Sequence, residues 1–188
     1  MGVTRIVAGS MGGRRLDVPP GARTRPTSDR VREALFNTLA TLTDLTGARF
    51  ADLYAGSGAV GLEALSRGAA HVLLVESNPR AARTARANIA ALGGRDRVRL
   101  VTTAVSTTLA QGTDEPYDVV FADPPYDTPD ERVGVMQRAL IDGGWLAPEG
   151  ILVIERSSRS APMRWVEDVT EVRTRRYGET TLWYGQRS

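Results

Sequence analysis

Asp52-Leu53-Tyr54-Ala55-Gly56-Ser57-Gly58-Ala59-Val60-Gly61 is the stretch on which the fold turns. It closes a short apolar run, Phe50 to Tyr54, and opens a helical stretch from Val60 to Ser66, with glycines spaced G-x-G-x-x-G. Glycines at that spacing permit a tight turn and let a ligand approach the backbone closely. Glu76 follows the next apolar run, Val72 to Val75, twenty residues beyond Gly56. An acid placed there accepts hydrogen bonds from ribose hydroxyls. Loop and acid predict a site for an adenosine-containing cofactor. Alone they divide evenly between a nicotinamide-dependent oxidoreductase and a methyltransferase.

Outward from the loop, short apolar runs alternate with helical patterns. A helix is predicted from Pro79 to Leu92, since Pro79 suits a first turn and Gly93-Gly94 a stop. Strands are predicted at Val98–Val101, Tyr117–Ala122 and Ile151–Ile154, with a helix over Asp130–Leu140. Continuous apolar strands between helices mean a parallel sheet covered on both faces. The tail reads differently, as two long strands, Trp165–Arg176 and Thr180–Gly185, around a Tyr177-Gly178-Glu179 turn. Towards the N-terminus, Arg5–Ala8 and Arg14–Val18 read as a small hairpin closed by Pro19-Pro20-Gly21. Ser28 or Asp29 then caps a helix whose inner face holds Val31, Leu35, Phe36 and Leu39. The prediction is an α/β, Rossmann-like methyltransferase fold of class I. Its seven-stranded sheet is mostly parallel with an antiparallel C-terminal hairpin, and a β-hairpin extension precedes it. Residues 1–27 form the basic hairpin and connector, and residues 28–188 the main domain.

The second decisive motif is Asp123-Pro124-Pro125-Tyr126, after the fourth strand of the alternating series. In a doubly wound sheet that strand adjoins the first, so the tetrapeptide faces the glycine loop. An exocyclic amino group on a nucleic-acid base is a poor nucleophile, because its lone pair is delocalised into the ring. Two acceptors, the Asp123 carboxylate and the Pro124 carbonyl, can bind its hydrogens and turn the lone pair towards an electrophile. Pro124 and Pro125 hold that carbonyl rigidly, a form of preorganisation. Tyr126 is suited to stacking on the base. The base must leave its stack to reach the pocket. The motif favours methyl transfer over hydride transfer, and so does Asp52, an acid placed for the cofactor's amino-acid end. S-adenosylmethionine is then the expected cofactor and S-adenosylhomocysteine the product.

Composition narrows the class further. A chain of 188 residues suits one domain with a small appendage. There is no cysteine, which excludes disulfides, thiol nucleophiles and cysteine-ligated metal sites. The lone histidine, His71, reads as a surface or strand-entry residue, and no metal is expected. No run of about 18 apolar residues suggests a membrane span. The N-terminus has no apolar leader core, so the expected location is cytoplasmic. All 24 basic residues are arginine. Residues 1–32 carry seven arginines and two aspartates, +5, whereas the remainder is −3. A basic arm on a mildly acidic body suits a polyanion, and equally a solvated tail.

Arg5-Ile6-Val7-Ala8-Gly9, Gly13-Arg14-Arg15-Leu16 and Arg25-Pro26-Thr27-Ser28-Asp29-Arg30-Val31-Arg32-Glu33-Ala34-Leu35-Phe36-Asn37 resemble, with the two site motifs, the ribosomal small-subunit methyltransferase D (RsmD) family. The resemblance spans nearly the whole chain. It implies transfer of one methyl to the N2 amino group of a guanine in 16S rRNA (guanine 966), within the small subunit or its assembly intermediate. It further implies Gly56, Gly58 and Glu76 as cofactor residues and Asp123 to Tyr126 as the catalytic turn, and the expected cofactor site is completed by Asp52, Tyr54, Gly61, Ser77 and Ala104. Arg14, Arg15, Arg25, Pro26 and Thr27 are implied as substrate contacts; a monomer is expected. One departure is Val101-Thr102-Thr103-Ala104, where many class I methyltransferases keep an acid for the adenine amino group. Backbone or a hydroxyl is left for that contact. Asn88 is either a support for the site or an ordinary polar helix residue. The rival readings are a DNA adenine or cytosine amino-methyltransferase, which the short gaps between motifs disfavour, an NAD-dependent oxidoreductase, and a non-catalytic RNA-binding assembly factor.

Overall fold

A computed structural model describes residues 3–21 and 28–188. The N-terminal hairpin pairs β1 (Val3–Arg5) with β2 (Arg15–Asp17) in antiparallel register, Thr4 opposite Leu16. Its strands are shorter than the sequence suggests. The stretch after Arg5 turns away to dock on a helix, so only Ile6 keeps bonds to the facing strand, through the Arg14 carbonyl and the Gly13 amide. The first helix, α1 (Asp29–Leu42), starts at Ser28, whose Oγ accepts from the Val31 amide at 3.2 Å. Arg32, Leu35, Phe36 and Leu39 form its buried face, while Val31 packs only at the margin.

The alternating series follows as β3 (Arg49–Leu53), α2 (Ala59–Ser66), β4 (His71–Val75), α3 (Pro79–Ala91), β5 (Val98–Val101), α4 (Val105–Ala110), β6 (Tyr117–Ala122), α5 (Asp130–Asp142), β7 (Leu146–Ser157), β8 (Val169–Tyr177) and β9 (Thr180–Arg187). Sheet order is β5-β4-β3-β6-β7-β9-β8. The five strands β5 to β7 run parallel, and β9 and β8 are antiparallel to their neighbours. This is the doubly wound sheet with an antiparallel tail that the alternation predicts. One apolar layer packs α1, α2, α3 and the hairpin residues Ile6, Met11 and Leu16 on one face of the sheet. The other packs α4 and α5 on the opposite face. Among the described residues, no helix is long and apolar enough to cross a membrane.

Strand β8 starts at Val169 rather than Trp165, and two further elements differ from the sequence reading for physical reasons. Helix α4 has six residues and buries only Val105, Thr108 and Leu109, too short for its period to stand out. Strand β7 begins at Leu146 rather than Ile151, because Pro148 and Gly150 sit inside it at a register shift against β6. His71 lies at the entry to β4, with Nε2 3.3 Å from the Tyr117 hydroxyl.

Candidate active site

The order in which strands join the sheet reverses between β3 and β6, which lie side by side and parallel with Leu53 opposite Ala122. Ligands in such sheets bind outside the carboxyl ends of the strands at this switch point. The Asp123 amide reaches back to the Leu53 carbonyl at 3.4 Å, so the turn after β6 and the loop after β3 share one crevice.

The glycine loop is built from β3 outward. Tyr54 leaves the strand with φ at 65° and half buries its ring, its hydroxyl 4.0 Å from the Met136 sulfur. Gly56 has φ 56°, and a Cβ added there would meet no protein atom within 4 Å, so its backbone faces the crevice. Its amide donates to Glu76 Oε2 at 2.7 Å, while Glu76 Oε1 accepts from the Asn78 amide at 2.8 Å. The Glu76 carboxylate is therefore held in place with lone pairs to spare for hydroxyl donors. Gly61 does different work. It is buried, its amide donates to Asp52 Oδ2 at 2.9 Å, and a Cβ would lie 2.4 Å from a Leu74 methyl. It lets α2 pack tightly on the sheet. Gly58, with φ 82°, sits at the N-cap of α2 against the same leucine. Ser77 and Ala104 are exposed, Ser77 just beyond Glu76 and Ala104 at the N-cap of α4.

Asp123 is partly buried, Pro124 is buried, and Pro125 and Tyr126 are exposed. The Pro125 carbonyl accepts from the Thr128 amide at 2.9 Å and closes the turn. Arg156, buried on β7, pins that turn from behind. Its Nη2 donates to the Thr128 carbonyl at 2.7 Å and lies 3.3 Å from Asp130 Oδ1 at the start of α5. Tyr126 is 54% exposed, so much of its side chain is in water. The sequence reading missed Arg156. A lone arginine in an otherwise apolar strand (Ile151 to Ile154, then Glu155-Arg156) is the signal that could have found it.

Electrostatics unify the crevice. Burial raises the Asp52 pKa to about 7 against the bond from the Gly61 amide, and the Glu76 charge adds to the rise. Burial also holds the Asp123 carboxyl well above the usual carboxylate range, reinforced by Glu155 and Asp52 and opposed by Arg156. Neighbouring acids that raise one another's pKa form a site suited to a cation. No group of three or more metal-ligating side chains occurs among the described residues.

The hairpin is tied to this site by buried polar groups. Asn88 on α3 accepts from the Asp17 amide at 2.9 Å and donates to the Asp17 and Ser57 carbonyls, both at 3.0 Å. It joins β2 to the glycine loop, so Asn88 supports the loop rather than facing solvent. On α2, the fully buried Glu63 accepts from the Val7 and Ala8 amides at 2.8 and 3.1 Å and from Arg67 at 2.9 Å. Gly9 docks where a Cβ would lie 2.0 Å from the Ser66 carbonyl oxygen. Arg14 and Arg15 are exposed, and Arg14 donates to the Ala91 carbonyl at the end of α3. Arg25, Pro26 and Thr27 lie outside the described residues. Asn88→Leu is expected to leave the buried Ser57 carbonyl and two part-buried Asp17 backbone groups without their partner, lowering stability by about 1–3 kcal/mol in urea unfolding.

The family described as "Conserved hypothetical protein 95" matches residues 4–186. Ribosomal RNA small subunit methyltransferase D of Escherichia coli K12 is 40% identical over 157 residues, 82% of this chain and 75% of the relative. The protein of the same name from Haemophilus influenzae is 31% identical over 181 residues, 94% of this chain and 90% of the relative. Among solved structures, the yhhF protein of Escherichia coli superposes with a TM-score of 0.86 at 36% identity, covering 100% of this chain and 99% of that one. The likeness of fold reaches to the magnesium protoporphyrin IX methyltransferase of Synechocystis, solved with bound SAM, with a TM-score of 0.66 at 16% identity over 85% of this chain and 79% of that one. The chain folds as a class I methyltransferase and belongs to the ribosomal RNA small subunit methyltransferase D family.

Proposed function

We propose that this protein transfers a methyl group from S-adenosylmethionine to the N2 amino group of a guanine in 16S rRNA of the small ribosomal subunit, guanine 966 by family resemblance. It acts as a monomer and releases S-adenosylhomocysteine. The observation that carries the reading is the Asp123-Pro124-Pro125-Tyr126 turn, set against the glycine loop at the sheet's switch point. The relatives named as small-subunit rRNA methyltransferases supply the substrate class.

The residues present fit the cofactor. Gly56 presents backbone to the crevice, and the fixed Glu76 carboxylate is suited to ribose hydroxyls. The acids around Asp52 and Asp123 favour a cationic ligand. When bound, S-adenosylmethionine supplies a methyl already activated by its sulfonium charge. Tyr54, Gly58, Ser77 and Ala104 line the adenosine and amino-acid ends, and Gly61 acts from behind by seating α2. Asp123 and the Pro124 carbonyl bind the two amino hydrogens and turn the lone pair outward, while Pro125 stiffens the turn and Tyr126 stacks on the base. Orientation supplies most of the rate in such a transfer. The 1–27 arm contacts rRNA through Arg14 and Arg15, with Arg25, Pro26 and Thr27 as further substrate contacts implied by the family resemblance. Residues 28–188 carry the chemistry.

Small subunits from cells lacking this gene, incubated with labelled S-adenosylmethionine, are expected to yield N2-methylguanosine by mass spectrometry of the nucleosides. No incorporation despite tight cofactor binding would overturn the substrate. The pH profile gives a second check. Asp123 is a charged acceptor only when ionised, since protonation leaves it a weaker carbonyl acceptor and adds an O–H donor, and burial together with its acidic neighbours raises its pKa. The acid limb of kcat/KM, which reports the free enzyme, is therefore expected above the ordinary carboxylate range. Asp52→Asn removes one of those negative neighbours and should move the limb to lower pH. A limb at an ordinary carboxylate pKa would refute the assignment.

A further inference from the structure

Helix α3 carries Arg80, Arg83 and Arg86, all exposed, and no acid along its length. The segment that leaves it adds exposed Arg95, Arg97 and Arg99 on the way into and along β5, the edge strand of the sheet. Residues 79–99 thus hold six arginines against Asp96 alone, a charge of +5. Outside this segment and residues 1–32, the chain has eleven arginines against nineteen acids, −8. The two basic segments are far apart in sequence, and the fold packs them together. β2 lies against α3 through Asn88, and Arg14 reaches the last turn of α3.

We infer that α3 and the β5 edge form a second phosphate-binding face, continuous with the hairpin, over which the rRNA backbone runs. This rests on the reading that the substrate is RNA. A solvated helix face usually interleaves its charges, as α5 does with Asp130, Glu131, Arg132, Arg138 and Asp142. On α3, arginines three residues apart stand next to one another, and like charges at that spacing repel. Among the described residues, none of the six arginines forms an ion pair. Such a row is relieved by a polyanion, and planar guanidinium groups match phosphate oxygens. The row advances by about 4.5 Å per arginine along the helix axis. It begins at Arg80, four residues past Glu76 at the cofactor end of the crevice, and runs towards the hairpin. An RNA whose guanine enters beside Tyr126 can follow it.

The test compares wild type with R80Q/R83Q/R86Q in binding a fluorescent RNA stem-loop over a range of salt, and in methylating small subunits. RNA affinity is expected to fall 10- to 100-fold, with the log–log salt slope reduced by about 2–3 for three lost phosphate contacts. KM for subunits should rise in parallel, with kcat and S-adenosylmethionine affinity within about twofold. R14Q/R15Q should reduce the slope by nearly 2, and the five-fold variant by the sum. Wild-type RNA affinity and slope in the triple variant would overturn the inference, even with subunits methylated normally. So would a wild type that binds no RNA. Loss of slope in the triple variant, with no methylation of subunits by wild type, would leave this face standing and overturn the substrate reading instead.

Discussion

Asp123→Ala is expected to lower methyl transfer by at least about 10²–10³-fold while S-adenosylmethionine binding stays within a few-fold. Loss of a single preorganised polar group at a reacting centre costs about that much. Here the cost should reach the upper end, because the carboxylate is one of only two acceptors proposed for the amino group. The Pro124 carbonyl cannot orient both hydrogens alone. Cofactor binding is spared because the Gly56–Glu76 bond and the Gly61–Asp52 bond do not involve Asp123. Asp123→Asn should fall between, since the amide keeps one acceptor but loses the charge. Single-turnover transfer and equilibrium binding of labelled cofactor separate the two effects. Near-normal turnover by the alanine variant would show that Asp123 is not the acceptor.

The placement of the candidate site was legible in the sequence because its motifs are local. Gly56, Gly58, Gly61 and Glu76 lie in one strand–loop–helix–strand unit, and Asp123 to Tyr126 are contiguous. Chain order alone then places the two motifs side by side once the sheet is recognised as doubly wound. The distinct work of the glycines was not legible. That Gly56 faces the crevice while Gly61 seats a helix depends on Leu74, thirteen residues further on. Arg156 was missed because its partners, Thr128 and Asp130, lie in another element. Asn88 stayed ambiguous for the same reason, as its three bonds reach Asp17 and Ser57. The basic surface was half seen. A composition window finds +5 in residues 1–32, but only packing brings residues 79–99 beside it.

The way the hairpin is held to the domain leads to the largest expected change in stability. Glu63→Leu should destabilise the protein by about 3–5 kcal/mol, the usual cost of removing one partner from a buried charged pair. Glu63 and Arg32 are both fully buried, with Arg32 Nε 3.5 Å from Glu63 Oε2, an ion pair not aligned as a hydrogen bond. Without the carboxylate, Arg32 keeps Nη2 bonds to the Arg5 carbonyl and Asp29. Its charge on the Nε side is left uncompensated, and the Val7 and Ala8 amides lose their acceptor. Arg32→Leu/Glu63→Leu should recover part of the loss, since apolar replacement of a whole buried pair is often tolerated. Recovery cannot be complete, because the two amides remain unbonded. Urea unfolding of both variants measures the difference. If the single variant unfolds with wild-type stability, water must reach Glu63, and the hairpin is then docked by Ile6, Met11 and Leu16 and by its bonds to Asn88 and Ser66 without help from the carboxylate. If it falls by the expected amount and the double variant recovers partly, the N-terminal hairpin is fixed to α2 by a buried carboxylate little more than one turn of helix from the glycine loop.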